Sequence, residues 1–427
     1  MNAPAQPSPP RQSALRTAAA GLIGNVLEWF DFAVYGYFAS DIGRLFFPAE
    51  DPTASLLFSY AVFLLGFVAR PAGSVVLGMV GDRIGRRALL TVSIGLMGGA
   101  TLVIGLLPTY ASIGVAAPVL LLLCRMVQGF SLGGEFTGSM VYTTELASPL
   151  VRGIVSSSTA AGTTLGFILG SASALAVSKT LGAADAASWG WRIPFVASVL
   201  LCVAGWFLRS GIHESEQAEK AAEARVGLVR ALVNDWRPLV QTFGIVGMTN
   251  AAYYLTFTFA VDHRKKLTSG QASDFLLANT LSLVVVLLAK PLGGWASDRL
   301  GRRKLMLVLQ LLVMALIYPA LKLMLFGTPG EFMLGQTLLA VPLGMALGLQ
   351  GAMLVEIFPL STRVTSMSIA YSVTLALSGG AAPLLSTWLI QRFHDPLLPV
   401  YLILTYGALG LALMVPMAET NGRSLDE

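Results

Sequence analysis

Apolar runs about as long as a bilayer-crossing helix needs alternate with short polar stretches along the whole chain. Twelve such runs fall at 18–39, 55–80, 88–107, 118–141, 154–177, 191–209, 238–260, 274–296, 305–326, 332–354, 366–390 and 398–416. Six precede the longest polar stretch, 209–237, and six follow it. The pattern predicts an all-α membrane protein with twelve transmembrane helices in two pseudo-symmetric six-helix bundles. The expected organisation is a tail at 1–17, an N-terminal bundle at 18–208, a linker at 209–237, and a C-terminal bundle with a short tail at 238–427.

Composition agrees with lipid as the solvent. The chain is 55% hydrophobic and only 12% charged, where a soluble domain carries about 25% charge. The net charge of +5 is spread over short loops and is not a nucleic-acid footprint. With both termini cytoplasmic, 17 Lys and Arg fall on the inside and eight on the outside, as the positive-inside rule requires. The cluster Arg264-Lys265-Lys266 runs against it. The first twelve residues are proline-rich and read as a disordered tail. Glu28 and Asp31 interrupt the first apolar run, so it reads as a retained span rather than a cleaved signal. Cys124 and Cys202 both lie within spans and imply no disulfide framework. The three histidines make no metal constellation, and no loop holds a nucleophile–base set, so neither a metal site nor an enzyme is expected.

The chain repeats itself at half its length. Gly78, Asp82, Arg83, Gly85, Arg86 and Arg87 recur as Gly294, Asp298, Arg299, Gly301, Arg302 and Arg303. Glu145, Pro149 and Arg152 after the fourth span recur as Glu356, Pro359 and Arg363 after the tenth. Tight turns at Gly85 and Gly301 and basic anchors account for part of this pattern. A basic anchor alone does not require the aspartates. The matched charges suggest ion pairs at one end that form and break, a cytoplasmic gate. Half-chain repetition in so apolar a chain points to a secondary transporter.

Six charged residues lie well inside spans: Glu28 and Asp31 in the first, Arg70 in the second, Arg125 and Glu135 in the fourth, and Lys290 in the eighth. Each costs roughly 3 kcal/mol to embed. Glu28 and Asp31 share a helical face with Asn25 and Tyr35. Two roles fit. The carboxylates take up a coupling proton while Arg125 holds an anionic substrate group, or an arginine–carboxylate pair pins spans one and four together. Glu135, nearer the cytoplasmic end, fits a proton site, a gate or a packing pair. Asn250, Tyr253 and Tyr254 in span seven form either a cavity wall or ordinary core. Gly162, Gly166 and Gly170 form a smooth stripe for close helix contact.

The doubled G-x-x-x-D-R-x-G-R-R hairpin in a twelve-span chain resembles the major facilitator superfamily. Within it, Gly24-Asn25, Glu28-Trp29-Phe30-Asp31-Phe32, Tyr35-Gly36, Gln128-Gly129-Phe130-Ser131 with Gly133-Gly134-Glu135, and Trp189 through Phe195 resemble the metabolite:proton symporter family. The resemblance implies proton-coupled import of a small polar metabolite across the bacterial inner membrane, with no cofactor beyond the coupling proton. Members carry proline and betaine, 2-oxoglutarate, citrate or shikimate. Thr137-Gly138 and Tyr253-Tyr254 look most like the proline/betaine members. Arg125 stands where that pattern tends to have lysine, which keeps organic acids in view. Gly170 is followed by Ser171 and not by proline, unlike the superfamily's antiporter signature.

The site expected on these grounds has Asp31, Glu28 and Glu135 for the proton. Arg125, Asn25, Tyr35, Gln128, Asn250, Tyr253 and Tyr254 would serve the substrate, in a monomer embedded in the bilayer. A binding or sensor protein that keeps the fold without turnover is the competing class.

Overall fold

Polar N-cap side chains satisfy free backbone groups at the starts of two long helices. Asp51 accepts from the Thr53 N–H at 2.8 Å with Pro52 in the first turn. Thr328 and Glu331 form a reciprocal capping box ahead of Pro329. Two helices therefore start about one turn before the apolar runs predicted from 55 and 332, because caps are polar and hydropathy omits them. The computed structural model describes residues 25–84, 86–210, 228–268, 272–423 and 425, without the side chains at 78–90, 183, 208–210 and 228–230. The tail expected at 1–17 and most of the linker expected at 209–237 lie outside the described residues.

The described residues form twelve long helices: α1 (25–46), α2 (52–84), α3 (Arg86–Leu106), α4 (Ala116–Glu145), α5 (Arg152–Thr180), α6 (Arg192–Ser210), α7 (236–267), α8 (Ala272–Leu300), α9 (Arg302–Phe326), α10 (Pro329–Ile357), α11 (Arg363–Phe393) and α12 (Pro399–Met414). Seven contain stretches long and apolar enough to cross a membrane, and three more carry shorter apolar stretches. The remaining two are α1, described only from residue 25, and α7, whose last turn is cationic. The bundles meet along α5 with α8 and along α2 with α11, pairs related by the half-chain repeat.

Local breaks shape the interior. α4 loses helical form at Leu132 and resumes at Glu135, with Gly134 at φ 116°. On the near side of that break, Gly129 rests on the Gly66 carbonyl of α2 and Gly133 on the α2 backbone at Arg70 and Ser74, leaving no room for a side chain. This backbone contact lays α4 against α2. α7 and α11 each widen into a π-helical turn, at Leu255–Phe259 and Ala376–Gly380. Such turns recur at functional sites. α7 continues to Leu267, beyond the predicted end at 260. Its Arg264, Lys265 and Lys266 occupy the last turn, where cations complement the helix dipole. Arg264 donates to the Leu325 and Gly327 carbonyls, and Lys265 to the Tyr37 carbonyl. The cluster thus ties helix ends together, whatever its place in charge counting.

Candidate functional site

Two buried ion pairs lie inside the N-terminal bundle. Glu28 pairs with Arg70 of α2 at 2.5 Å, and Asp31 with Arg125 of α4 at 2.9 Å. The close α2–α4 contact aims both guanidinium groups at α1. Arg125 also donates to Gln128 Oε1 at 2.9 Å, and Gln128 Nε2 donates to Thr101 of α3 at 2.8 Å. The guanidinium lies 4.4 and 4.5 Å from the ring centres of Phe32 and Tyr35. Arg125 and Asp31 have no exposed surface. Arg70, stacked near Trp29 and Phe67, is a partner that the sequence marked only as a charge within a span.

The expected substrate residues divide between two places. Arg125, Gln128 and Tyr35 stand together beside Asp31, with the Tyr35 hydroxyl donating to the Ser59 carbonyl at 3.1 Å. Asn25 donates to Ser139 at 3.3 Å. Asn250 and Tyr253 instead line a cavity of about 30 Å³ between the bundles, which Arg125 does not line. Tyr254 packs against Phe63 and Phe67 of α2. Half-buried Glu135 lines a separate small space with Leu27, Met97 and Leu132. The cavity's other walls hold Trp29, Phe136, Phe167, Tyr371, Gln350 and Lys290.

The two ends of the molecule are latched differently. At the end bearing the hairpins, Arg363 pairs with Glu145 at 2.7 Å, joining α11 to α4. Arg302 makes paired bonds to Glu356, both at 3.2 Å, and meets Asp298 at 2.6 Å. Arg152 reaches Glu356 at 4.0 Å and the Arg423 carbonyl at 2.7 Å. Arg303 donates to the Met414 carbonyl at 3.1 Å. Arg299 takes no part in this set; it is exposed and lies over the Trp295 ring at 4.3 Å. Gly85 and the side chains of Asp82, Arg83, Arg86 and Arg87, with Gly78, lie outside the described residues.

The opposite end carries a latch that sequence reading missed. Buried Asp262 of α7 accepts from the Tyr60 hydroxyl at 3.1 Å and from the hydroxyl and N–H of Ser40. Asn279 of α8 donates to the Tyr37 hydroxyl at 2.9 Å and to Ser171 at 3.0 Å. The only sequence signal was polar residues near span ends, which are common there. Both ends of the interface are therefore closed in this conformation, and the cavity between them holds little more than water.

Two bundles of apolar helices with a half-chain repeat, meeting at a small shared cavity, define a membrane transporter. The sequence model described as "Sugar (and other) transporter" matches residues 17–234, and that described as "Major Facilitator Superfamily" matches residues 266–421. The chain belongs to the major facilitator superfamily. It is 32% identical to a proline/betaine transporter of Salmonella typhimurium, over 96% of this chain and 84% of that protein. It is 37% identical to a citrate-proton symporter of Klebsiella pneumoniae, over 88% of this chain and 86% of that one. The fold matches the proton:xylose symporter XylE with a TM-score of 0.75 at 17% identity, covering 97% of this chain and 98% of the other.

Proposed function

We propose that this transporter imports a small carboxylate-bearing metabolite with protons, by alternating access across the bacterial inner membrane. The observation that carries this reading is the Asp31–Arg125 pair, sealed in the N-terminal bundle with no exposed surface. A buried pair is stable only while both charges are present. Protonation of Asp31 leaves Arg125 without its counter-charge and changes which packing of α1 against α4 is favoured. That is the differential interaction a coupling proton needs. Glu28 with Arg70 forms a second pair of the same kind, next to Trp29 of the cavity wall. The relatives' names support a small metabolite taken up with protons. The hairpin end faces the cytoplasm in this reading, and the monomer is the working unit.

The contacts support a cycle of alternating access. Substrate occupies the cavity between the bundles, and the latches at the two ends open alternately. The test is uptake into proteoliposomes under an imposed pH gradient. Accumulation that collapses on adding a protonophore supports the reading. Accumulation that persists with protonophore and requires sodium overturns it.

A further inference from the structure

We infer that Lys290 is the anchor for the substrate carboxylate, and that the aromatic walls beside it hold an onium group at the substrate's other end. The inference rests on the transport reading above and names the substrate class for its cavity.

Lys290 is almost fully buried in α8 and lines the cavity between the bundles. Its backbone is fixed within the C-terminal bundle, where Gly348 of α10 lies directly against its carbonyl. Its ammonium crosses to the N-terminal bundle. There it donates to the Ala160 carbonyl and, at 2.8 Å, to the Thr163 hydroxyl of α5. Both acceptors are neutral. Among the described residues, no carboxylate stands within ion-pair distance of it. The other embedded cations differ: Arg70, Arg125 and Arg302 each meet an acid. A buried charge is tolerated when it is paired, so Lys290 is the place in the transport cavity where an incoming anion would complete the charge balance.

One more group at the cavity asks for a ligand. The Gln350 amide nitrogen is buried and has no hydrogen-bond partner among the described residues. The amide can donate to the second oxygen of a carboxylate held by Lys290. Five aromatic rings, Trp29, Phe136, Phe167, Tyr253 and Tyr371, line the cavity beside Met140, Ala160, Thr163, Asn250 and Leu347. Phe136 and Tyr371 have ring centres 5.3 Å apart, Trp29 and Phe136 5.8 Å, and Phe167 and Tyr253 5.0 Å. Ring faces attract a weakly hydrated cation such as a quaternary or secondary ammonium. A single ammonium suits one carboxylate and leaves further carboxylates of a polyacid unmatched. The substrate class is a compact zwitterion with one carboxylate and one onium centre.

The anchor also has a mechanical consequence. In the closed conformation Lys290 holds α8 to α5. A carboxylate is the stronger acceptor, so substrate draws the ammonium away from Ala160 and Thr163 and loosens one contact between the bundles.

The test compares glycine betaine with its methyl ester, which keeps the onium group and loses the carboxylate charge. Binding is measured on the purified full-length chain in nanodiscs. The wild type should bind betaine at least about tenfold more tightly than the ester, the scale of one charge-assisted bond. Lys290→Gln should weaken betaine by roughly ten- to a hundredfold and bind acid and ester alike. Gln350→Leu, which leaves the buried ammonium in place, should narrow the acid–ester difference about threefold or more. It keeps the inference testable if the Lys290 variant does not fold. Equal binding of acid and ester by the wild type overturns the anchor, as does full discrimination in Lys290→Gln. Failure of the wild type to bind betaine overturns the aromatic cage. These outcomes are separate from the transport test. Proton-driven uptake with an unchanged Lys290→Gln variant removes the anchor alone. Lys290-dependent binding without proton-driven uptake removes the coupling mechanism alone.

Discussion

The carboxylate of Asp298 in α8 caps the first turn of α5: its two oxygens accept the backbone N–H groups of Gly153 and Ile154 at 2.8 and 3.0 Å. A helix N-terminus offers unpaired N–H groups and partial positive charge, so an acid is favoured there. Here the acid comes from the other bundle. Arg302 holds the same carboxylate from behind at 2.6 Å. Gly294, one turn earlier, lies against the Gly153 carbonyl and lets the two helices approach. The glycine, aspartate and arginine of the second hairpin thus act as one inter-bundle contact.

Asp298→Asn should open this end. Asparagine keeps one acceptor and loses the charge, and a charge-assisted bond contributes about 1.5–3 kcal/mol. The closed-to-open ratio should fall by about tenfold or more. Spin labels at exposed Leu150 and Leu360, after replacement of Cys124 and Cys202, should report longer distances in the variant. Identical distributions would reduce the hairpin to an orientation anchor.

Asp31→Asn should abolish proton-driven accumulation while exchange of substrate continues, because asparagine imitates the protonated acid and cannot cycle. It also strands a buried guanidinium, which costs about 3–5 kcal/mol. Thermal melting of the purified protein should therefore drop, and Arg125→Met in the same chain should recover much of the loss. Normal accumulation by Asp31→Asn would move the proton site, first to Glu135.

Arg125→Lys separates the two roles open to that residue. Arg125 is engaged by Asp31 and Gln128 and does not line the inter-bundle cavity. The lysine variant should keep substrate affinity within about twofold and lose coupling efficiency, since a point charge does not reproduce the guanidinium's fixed bonds. A ten- to hundredfold loss of affinity, the scale of about 1.5–3 kcal/mol, would make Arg125 the substrate clamp instead.

Much of this was legible in the sequence because a bilayer leaves few options. Length and hydropathy bring out the spans, and an embedded charge such as Asp31 or Arg125 must have a reason. The partners were less legible. Arg70 and Lys290 were both visible as cations within spans. That one has an acid opposite and the other, among the described residues, has none depends on which helix faces lie together, which depends on contacts such as Gly129 on Gly66. The span ends were blurred for a different reason. Caps such as Asp51 and Thr328, and the cationic last turn of α7, are polar by necessity and vanish from a hydropathy pattern.

Acid should loosen the segment after α12. Partial burial alone would raise the Glu419 pKa, but N–H groups of Asn421, Arg303, Arg302 and Thr420 donate to it and hold it below the ordinary 4.5. Gly301, at φ 95°, lets this carboxylate approach where a Cβ would stand 2.6 Å from its oxygen. With the folded pKa lowered, the contribution is full above the unfolded value and is lost as pH falls through the folded one. Melting temperature followed from roughly pH 6 to pH 3 should fall less steeply in Glu419→Gln than in wild type. Parallel curves would show that the contact adds no pH-dependent stability.

Asp262→Asn should open the end opposite the hairpins. Asp262 belongs to α7 of the C-terminal bundle and accepts from Ser40 of α1 and Tyr60 of α2 in the N-terminal bundle. It has no exposed surface, so water cannot replace the bonds while this end stays shut. Asparagine removes the charge and turns one acceptor into a donor facing hydroxyl partners. The loss of about 1.5–3 kcal/mol should favour the state open at this end by about tenfold or more. Labels at exposed Val115 and Phe326 should move apart, while the Leu150–Leu360 distance stays short. Asp298→Asn should give the reverse pattern. The double variant should bring the two populations back toward the wild-type balance, because both closed ends are weakened together. A shift at both ends in either single variant would mean that the latches do not act independently, and the bundles could not then be described as two ends closing in turn.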